Sequence, residues 1–192
     1  MKIYPNTKLV QYVVEKLSRE LKEVTQRNIR EEEKLLSFEE QTLIYKYTED
    51  GYDGLNTRLR ANTGVNDSEF GKYLDRTLSK LHNYEGIVHR AVNLTNAELQ
   101  KYKDAKENSG ILVEYSFIST SKSKFIAYQF GKSCRFRIFS KHGKDIEDFA
   151  KYGSAHPQNE KEVLFRPNTR FRVLDITIEK DYTLITLEEV NR

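Results

Sequence analysis

Three short stretches carry side chains whose types and spacing could do chemistry. In "AHPQNEKEVLF", residues 155–165, Glu160 and Glu162 stand two positions apart, with Lys161 between them, just before an apolar run. Residues two apart on a strand point to the same side. If Glu162 opens the strand "EVLF", Glu160 can reach into the same cleft from the loop before it. The same tripeptide is also an ordinary solvated turn in a chain that is 32% charged. Arg90 ends the apolar run "YEGIVHR". It reads either as an edge residue paired with a carboxylate or as a fork that clamps phosphate or carboxylate. Ser119, Thr120 and Ser121 leave the apolar run "ILVEYSFI". Ser121 is placed to cap a following helix, and Ser119 could hold a nearby carboxylate by a hydrogen bond.

The elements that must position these groups divide the chain in two. "LVQYVVEKLSRELKEVTQRNIREEEKLL" reads helical, with apolar residues at helical spacing from Leu9 and Val10 to Leu21 and Val24. Ser37 and Glu40 form a capping-box start for "FEEQTLIYKYT", which "EDGYDG" should break with its two glycines. A short helix at "GLNTRLRAN" and another at "SEFGKYLDRTLSKLHNY" follow. Beyond residue 85 the chain turns to strand-like runs, among them "CRFRIFSK" and "DYTLITLEEV". In one of these, unbroken alternation puts Phe171, Val173, Asp175 and Thr177 on one face and Arg172, Leu174, Ile176 and Ile178 on the other. Helices followed by strands predict an α+β fold. The expected organisation is one domain over residues 1–192, with a helical region at 1–37 and a core at 38–192.

Composition narrows the function classes. One cysteine, Cys134, excludes an intramolecular disulfide framework and a cysteine-based metal cluster. His82, His89, His142 and His156 stand at no metal-ligand spacing, so no metal is expected. No apolar run is long enough to span a bilayer, and the start shows no signal peptide. Net charge is +3, with both signs mixed along the chain, which is a weak nucleic-acid signal. No glycine-rich dinucleotide or P-loop pattern occurs.

In order, Arg90, Ser119-Thr120-Ser121 and Glu160-Lys161-Glu162 resemble the signature of mono-ADP-ribosyltransferase toxins of the Arg–Ser-Thr-Ser–Glu-x-Glu branch. "IYKYTEDGYDGLNTRLR", "FISTS", "HGKDI" and "NEKEVLFRPNTRFRVL" resemble the family's flanking segments, over roughly residues 38 to 178. Where the family often has an aromatic before its Arg and a Gly after it, this chain has His89 and Ala91.

The resemblance implies two packed, mainly antiparallel sheets with NAD as substrate in the cleft between them. It implies cleavage of the nicotinamide–ribose bond through an oxocarbenium-like state and transfer of ADP-ribose to an arginine of a target protein. Glu162 would stabilise the ribose charge, Ser119 would hold Glu162, and Arg90 would grip the phosphates. Glu160 would align the acceptor guanidinium and accept its proton. Ala91, Thr120, Ser121 and Phe125 join the expected NAD contacts, with Tyr128 beside them. The loop at 149–159, with Tyr152 and His156, would face the acceptor. The resemblance further implies a monomer that is secreted or injected and acts in the cytoplasm of a target cell. An NAD glycohydrolase and an inactive interaction domain of the same fold remain alternatives.

Overall fold

The computed structural model describes residues 7–27 and 35–191. Five helices come first: α1 (Thr7–Lys16), α2 (Ser18–Thr25), α3 (Phe38–Lys46), α4 (Tyr52–Ala61) and α5 (Glu69–Lys80). Strand β1 (Asn83–Val92) is followed by α6 (Asn96–Glu107), β2 (Ile111–Glu114), β3 (Ile118–Ser121) and the single turn α7 (Lys124–Ala127). The chain ends in β4 (Cys134–Asp145), β5 (Glu162–Phe165), β6 (Thr169–Ile178) and β7 (Thr183–Val190). The α+β order read from the sequence holds. The part of the first helical pattern at residues 28–34 lies outside the described residues.

Local chemistry accounts for the helix starts. Ser37 Oγ accepts from the Glu40 amide and the Glu40 carboxylate accepts from the Ser37 amide, the reciprocal capping box. Thr95 and Glu98 make the same box at the head of α6. The sequence reading passed over α6, although "TNAE" carries that signature. Only Leu99, Tyr102 and Ala105 of this helix pack, partly buried, on the core, and it lacks the wide apolar stripe that marked the others, so periodicity gave no signal.

The expected break at "EDGYDG" does not occur. The backbone widens into a π turn at Tyr47–Gly51 and runs straight into α4. Gly51 is helical, and a side chain there would meet the Lys46 carbonyl at 2.9 Å and the Phe70 ring at 3.1 Å. The glycine serves close packing rather than termination.

The strands form one hydrogen-bonded sheet in the order β1-β3-β5-β4-β7-β6-β2, with a further pairing of β1 to β4. All pairs are antiparallel except β4–β7. The twelve residues of β4 explain how two expected sheets become one. One edge of β4 pairs with β1 along its length, the other pairs with β7 over Cys134–Phe139, and its last residues, Lys144 and Asp145, pair with β5. The strand therefore belongs to both halves.

Two apolar clusters flank the sheet. One packs the helices through Leu43, Ile44, Leu74 and Leu78 against Leu164. The other joins Ile138, Val163, Phe165 and Phe171. Strand β5 is buried on both faces and alternates between them: Val163 and Phe165 enter one cluster, Leu164 the other.

In β6 the predicted alternation fails after Val173. The register slips between Val173 and Asp175, which inserts a bulge at Leu174. Leu174 is 43% exposed, whereas Ile176 returns to the core beside Phe171 and Val173. Unbroken alternation would treat Leu174 and Ile176 alike. We expect Ile176→Ser to cost about 1–2 kcal/mol and Leu174→Ser less than about 0.5 kcal/mol. Denaturant midpoints of the two variants check this, and equal losses would contradict the bulge.

Candidate active site

The antiparallel pairing of β3 with β5 sets the geometry. Ser121 lies opposite Glu162, and Ser119 opposite Leu164. Ser119, Ser121 and Glu162 therefore share the face of β5 that looks toward the helices. Glu162 is 4% exposed, and its carboxylate is hydrogen-bonded to the Ser119 side chain. Burial pushes its pKa up to about 7; the Ser119 bond and the Arg90 charge oppose the rise, and Glu160 adds to it. The carboxylate is thus poised to change charge near neutrality.

Arg90, on β1, donates from Nη1 to the Ser119 carbonyl at 2.6 Å. One guanidinium thereby ties β1 to the strand whose side chain holds Glu162. Burial lowers its proton affinity, with Tyr47, Tyr102 and Glu114 among its neighbours offsetting this; a guanidinium stays charged nonetheless. Among the described residues its other N–H groups make no hydrogen bond, which leaves donors for an anionic ligand.

The floor comes from the π turn and α4. Asn56 Nδ2 donates to the Tyr47 hydroxyl at 3.0 Å, and Asn56 Oδ1 accepts from the Phe117 amide at 3.1 Å. The Tyr47 ring leans on Phe117, with centroids 5.4 Å apart. The hydroxyl is fully buried, and burial raises its pKa. Because a π turn takes one residue more than an α turn, Tyr47, Tyr52 and Asn56 all line the same cleft. Sequence reading gave none of the three a role. An uninterrupted helix would not have aligned them, and the glycines pointed to a break.

These groups converge on one cleft of about 440 Å³, lined by Arg90, Ala91, Ser119, Thr120, Ser121, Glu160 and Glu162. Glu160 stands at its rim, half-buried, and burial raises its pKa too. It reaches the cleft from the loop just before β5, the route read from the sequence. Lys161 has φ +50°, the left-handed region, and its amide is held by Asn159 Oδ1 at 2.9 Å. Glu160 is therefore loop and Glu162 is strand. The Glu160 backbone is fixed at both ends: its amide donates to the Tyr152 carbonyl at 2.8 Å, and its carbonyl accepts from Ser121 Oγ at 2.7 Å.

Some expected contacts fall elsewhere. Phe125 is 76% exposed and lines a neighbouring depression with Lys122, Lys124 and Lys161. α7 is only one turn long, so the chain rises out of it early and places Phe130, not Phe125, on the cleft. Tyr128 packs edge-on to His89, with Arg135 4.5 Å from its ring centroid, and does not line the cleft. Ser121 caps no helix; besides Glu160 it serves the Ser123 amide. The Thr120 hydroxyl is committed to the Val163 carbonyl at 2.6 Å. Tyr152 lines the cleft, while His156 stacks edge-on against Tyr152 outside it. Among the described residues no three His, Cys, Asp or Glu side chains are grouped to hold a metal.

Comparison with known proteins fits this geometry. The family model described as ADP-ribosyltransferase exoenzyme matches residues 14–191. The chain is 31% identical over 149 residues to a putative NAD(+)--arginine ADP-ribosyltransferase, Mav, of Mycobacterium avium, covering 76% of this chain and 17% of that protein. It is 29% identical over 159 residues to the NAD(+)--protein-arginine ADP-ribosyltransferase Tre1 of Serratia proteamaculans, covering 81% of this chain and 33% of that one. It thus spans a third or less of those two relatives. Among solved structures, the ADP-ribosyltransferase HopU1 of Pseudomonas syringae superposes with a TM-score of 0.82 at 17% identity, over 99% of this chain and 100% of that one. Vis, an ADP-ribosyltransferase of Vibrio splendidus solved in complex with agmatine, gives 0.64 at 20% identity, over 100% and 88%. The match along nearly the whole chain places it in the ADP-ribosyltransferase exoenzyme family.

Proposed function

We propose that this chain cleaves the nicotinamide–ribose bond of NAD and transfers ADP-ribose to an arginine side chain of a target protein. The observation that carries the reading is the convergence of Glu160 and Glu162 with Arg90 and Ser119 on one cleft. The relatives named for arginine transfer and the agmatine complex of Vis support the choice of acceptor.

The roles follow from charge. As the glycosidic C–N bond breaks, nicotinamide leaves with the bonding electron pair and positive charge develops on the ribose. Glu162, ionised, is stationed where a ribose hydroxyl can donate to it, and its carboxylate opposes that charge in a water-poor cleft. Ser119 holds Glu162 in place. Arg90 offers its free N–H groups to the phosphates. A guanidinium is protonated and a poor nucleophile. Glu160 aligns it and takes its proton as the new C–N bond forms. Tyr52 and Phe130 present aromatic surface for the nicotinamide and ribose. The target is a protein of another cell, reached by secretion or injection, in keeping with relatives and structural neighbours described as toxins or effectors.

Glu162→Gln is expected to lower both transfer and NAD hydrolysis at least about 100-fold while NAD still binds in calorimetry. Glu160→Gln should lower transfer to agmatine or poly-arginine about 100-fold and leave much of the hydrolysis. With labelled NAD, equal loss of both activities in the Glu160 variant would falsify the division of roles. Nicotinamide release by the wild type with no labelled acceptor would leave a glycohydrolase instead.

The raised pKa of Glu162 has a signed consequence. Between its ordinary value of 4.5 and about 7, the folded state binds a proton that the unfolded state has lost, so stability falls as pH rises through that window. Glu162→Gln removes the cost of burying charge. The variant should be more stable than wild type at pH 8, by on the order of 3 kcal/mol, and match it near pH 4. A melting difference independent of pH would show that Glu162 is not held in this environment. In wild type, kcat/KM should fall as pH drops below about 7, as the carboxylate protonates.

A further inference from the structure

The loop that carries Glu160 is held from the far end of the chain. Arg27, just beyond α2, donates from Nη1 to the Ala150 carbonyl at 2.8 Å and from Nη2 to the Lys151 carbonyl at 3.0 Å. Its guanidinium also lies 4.4 Å from the centroid of the Tyr45 ring on α3. Burial lowers its proton affinity, but the group remains a cation. One planar fork thus grips two successive carbonyls of a loop that no regular element supports.

The next contacts lead to the cleft. The Lys151 amide donates to Thr48 Oγ1 at 2.8 Å, and Lys151 Nζ reaches Glu49 Oε1 at 2.6 Å. Glu49 also receives Arg19 of α2, and these two cations hold its pKa down to about 2. The residue after Lys151, Tyr152, accepts the Glu160 amide. From the Arg27 fork to the Glu160 backbone there is one residue of chain and one hydrogen bond. Glu162 has no such dependence, because β5 is paired on both sides.

We propose that Arg27 is a positioning residue for the acceptor step: it fixes the loop at 150–152 and so aims Glu160 at the incoming guanidinium, without bearing on cleavage of NAD. This rests on the arginine-transfer reading given above. Two adjacent carbonyls need a rigid two-pronged donor, which a lysine ammonium cannot reproduce. Loosening the loop by an ångström misplaces a general base that works only within hydrogen-bond reach.

The test compares wild type, Arg27→Met and Arg27→Lys with labelled NAD, in the presence and absence of agmatine. Arg27→Met should lower kcat for transfer to agmatine ten- to about a hundredfold, while hydrolysis and KM for NAD stay within about twofold. Arg27→Lys, able to serve one carbonyl, should fall between. Hydrolysis doubles as the check on folding. Parallel loss of hydrolysis and transfer would make Arg27 a fold support only, and undiminished transfer would show that the loop does not need it; either overturns the proposal while the function stands. Wild type that hydrolyses NAD but labels no agmatine would overturn the arginine-transfer reading, and the Arg27 proposal with it.

Discussion

A carboxylate buried between two apolar clusters is the constraint on which the rest of this structure depends. Left alone in that position, Glu162 would take up a proton and lose its charge. Ser119 and Arg90 both bear on it, but differently. Ser119 gives a direct hydrogen bond, whereas Arg90 contributes charge and anchors the Ser119 backbone. The net result is a group with an affinity for protons near neutrality. An environment that held it more tightly ionised would satisfy the carboxylate in the resting state, and little would be gained when positive charge arrives. The burial comes from β5, whose two faces are both covered, and the two faces are covered because β4 knits the halves of the sheet together.

Much of this was legible in the sequence, and what was missed has physical reasons. The Ser37–Glu40 capping box and the alternation of β6 as far as Val173 report backbone preferences that tertiary packing did not override. Arg90, Ser119, Glu160 and Glu162 are distant in sequence, and their meeting was inferred from a resemblance rather than from periodicity. Four local expectations failed. The glycines at 51 and 54 suggested a helix end, but a tight approach to Phe70 and a π turn accommodate Gly51 within a helix. Alternation in β6 was extrapolated through a bulge that no residue type announces. α6 had a readable start but only a weak apolar face, since it contributes partly buried Leu99, Tyr102 and Ala105 to the core. Phe125 was expected among the NAD contacts, but α7 forms only one turn and Phe125 faces solvent.

The N-terminal helices carry more than apolar packing. Leu9, Val13 and Leu17 join the cluster under α3 and α5, while on the same segment Arg19 meets Glu49 of the π turn and Arg27 grips the loop before β5. One side of this helical segment thus supports the core, and its end supports a loop more than a hundred residues away. Salt weakens exposed ion pairs such as Arg19 with Glu49 more than the half-buried fork of Arg27 on two carbonyls.

Lys161, at φ +50°, is the joint between two differently built parts. On its C-terminal side the backbone belongs to the sheet and cannot shift without breaking ladder bonds on two edges. On its N-terminal side the backbone belongs to an irregular segment tied by a handful of contacts. The two carboxylates therefore stand on opposite sides of that joint, Glu162 fixed by ladder bonds and Glu160 by the contacts of its loop.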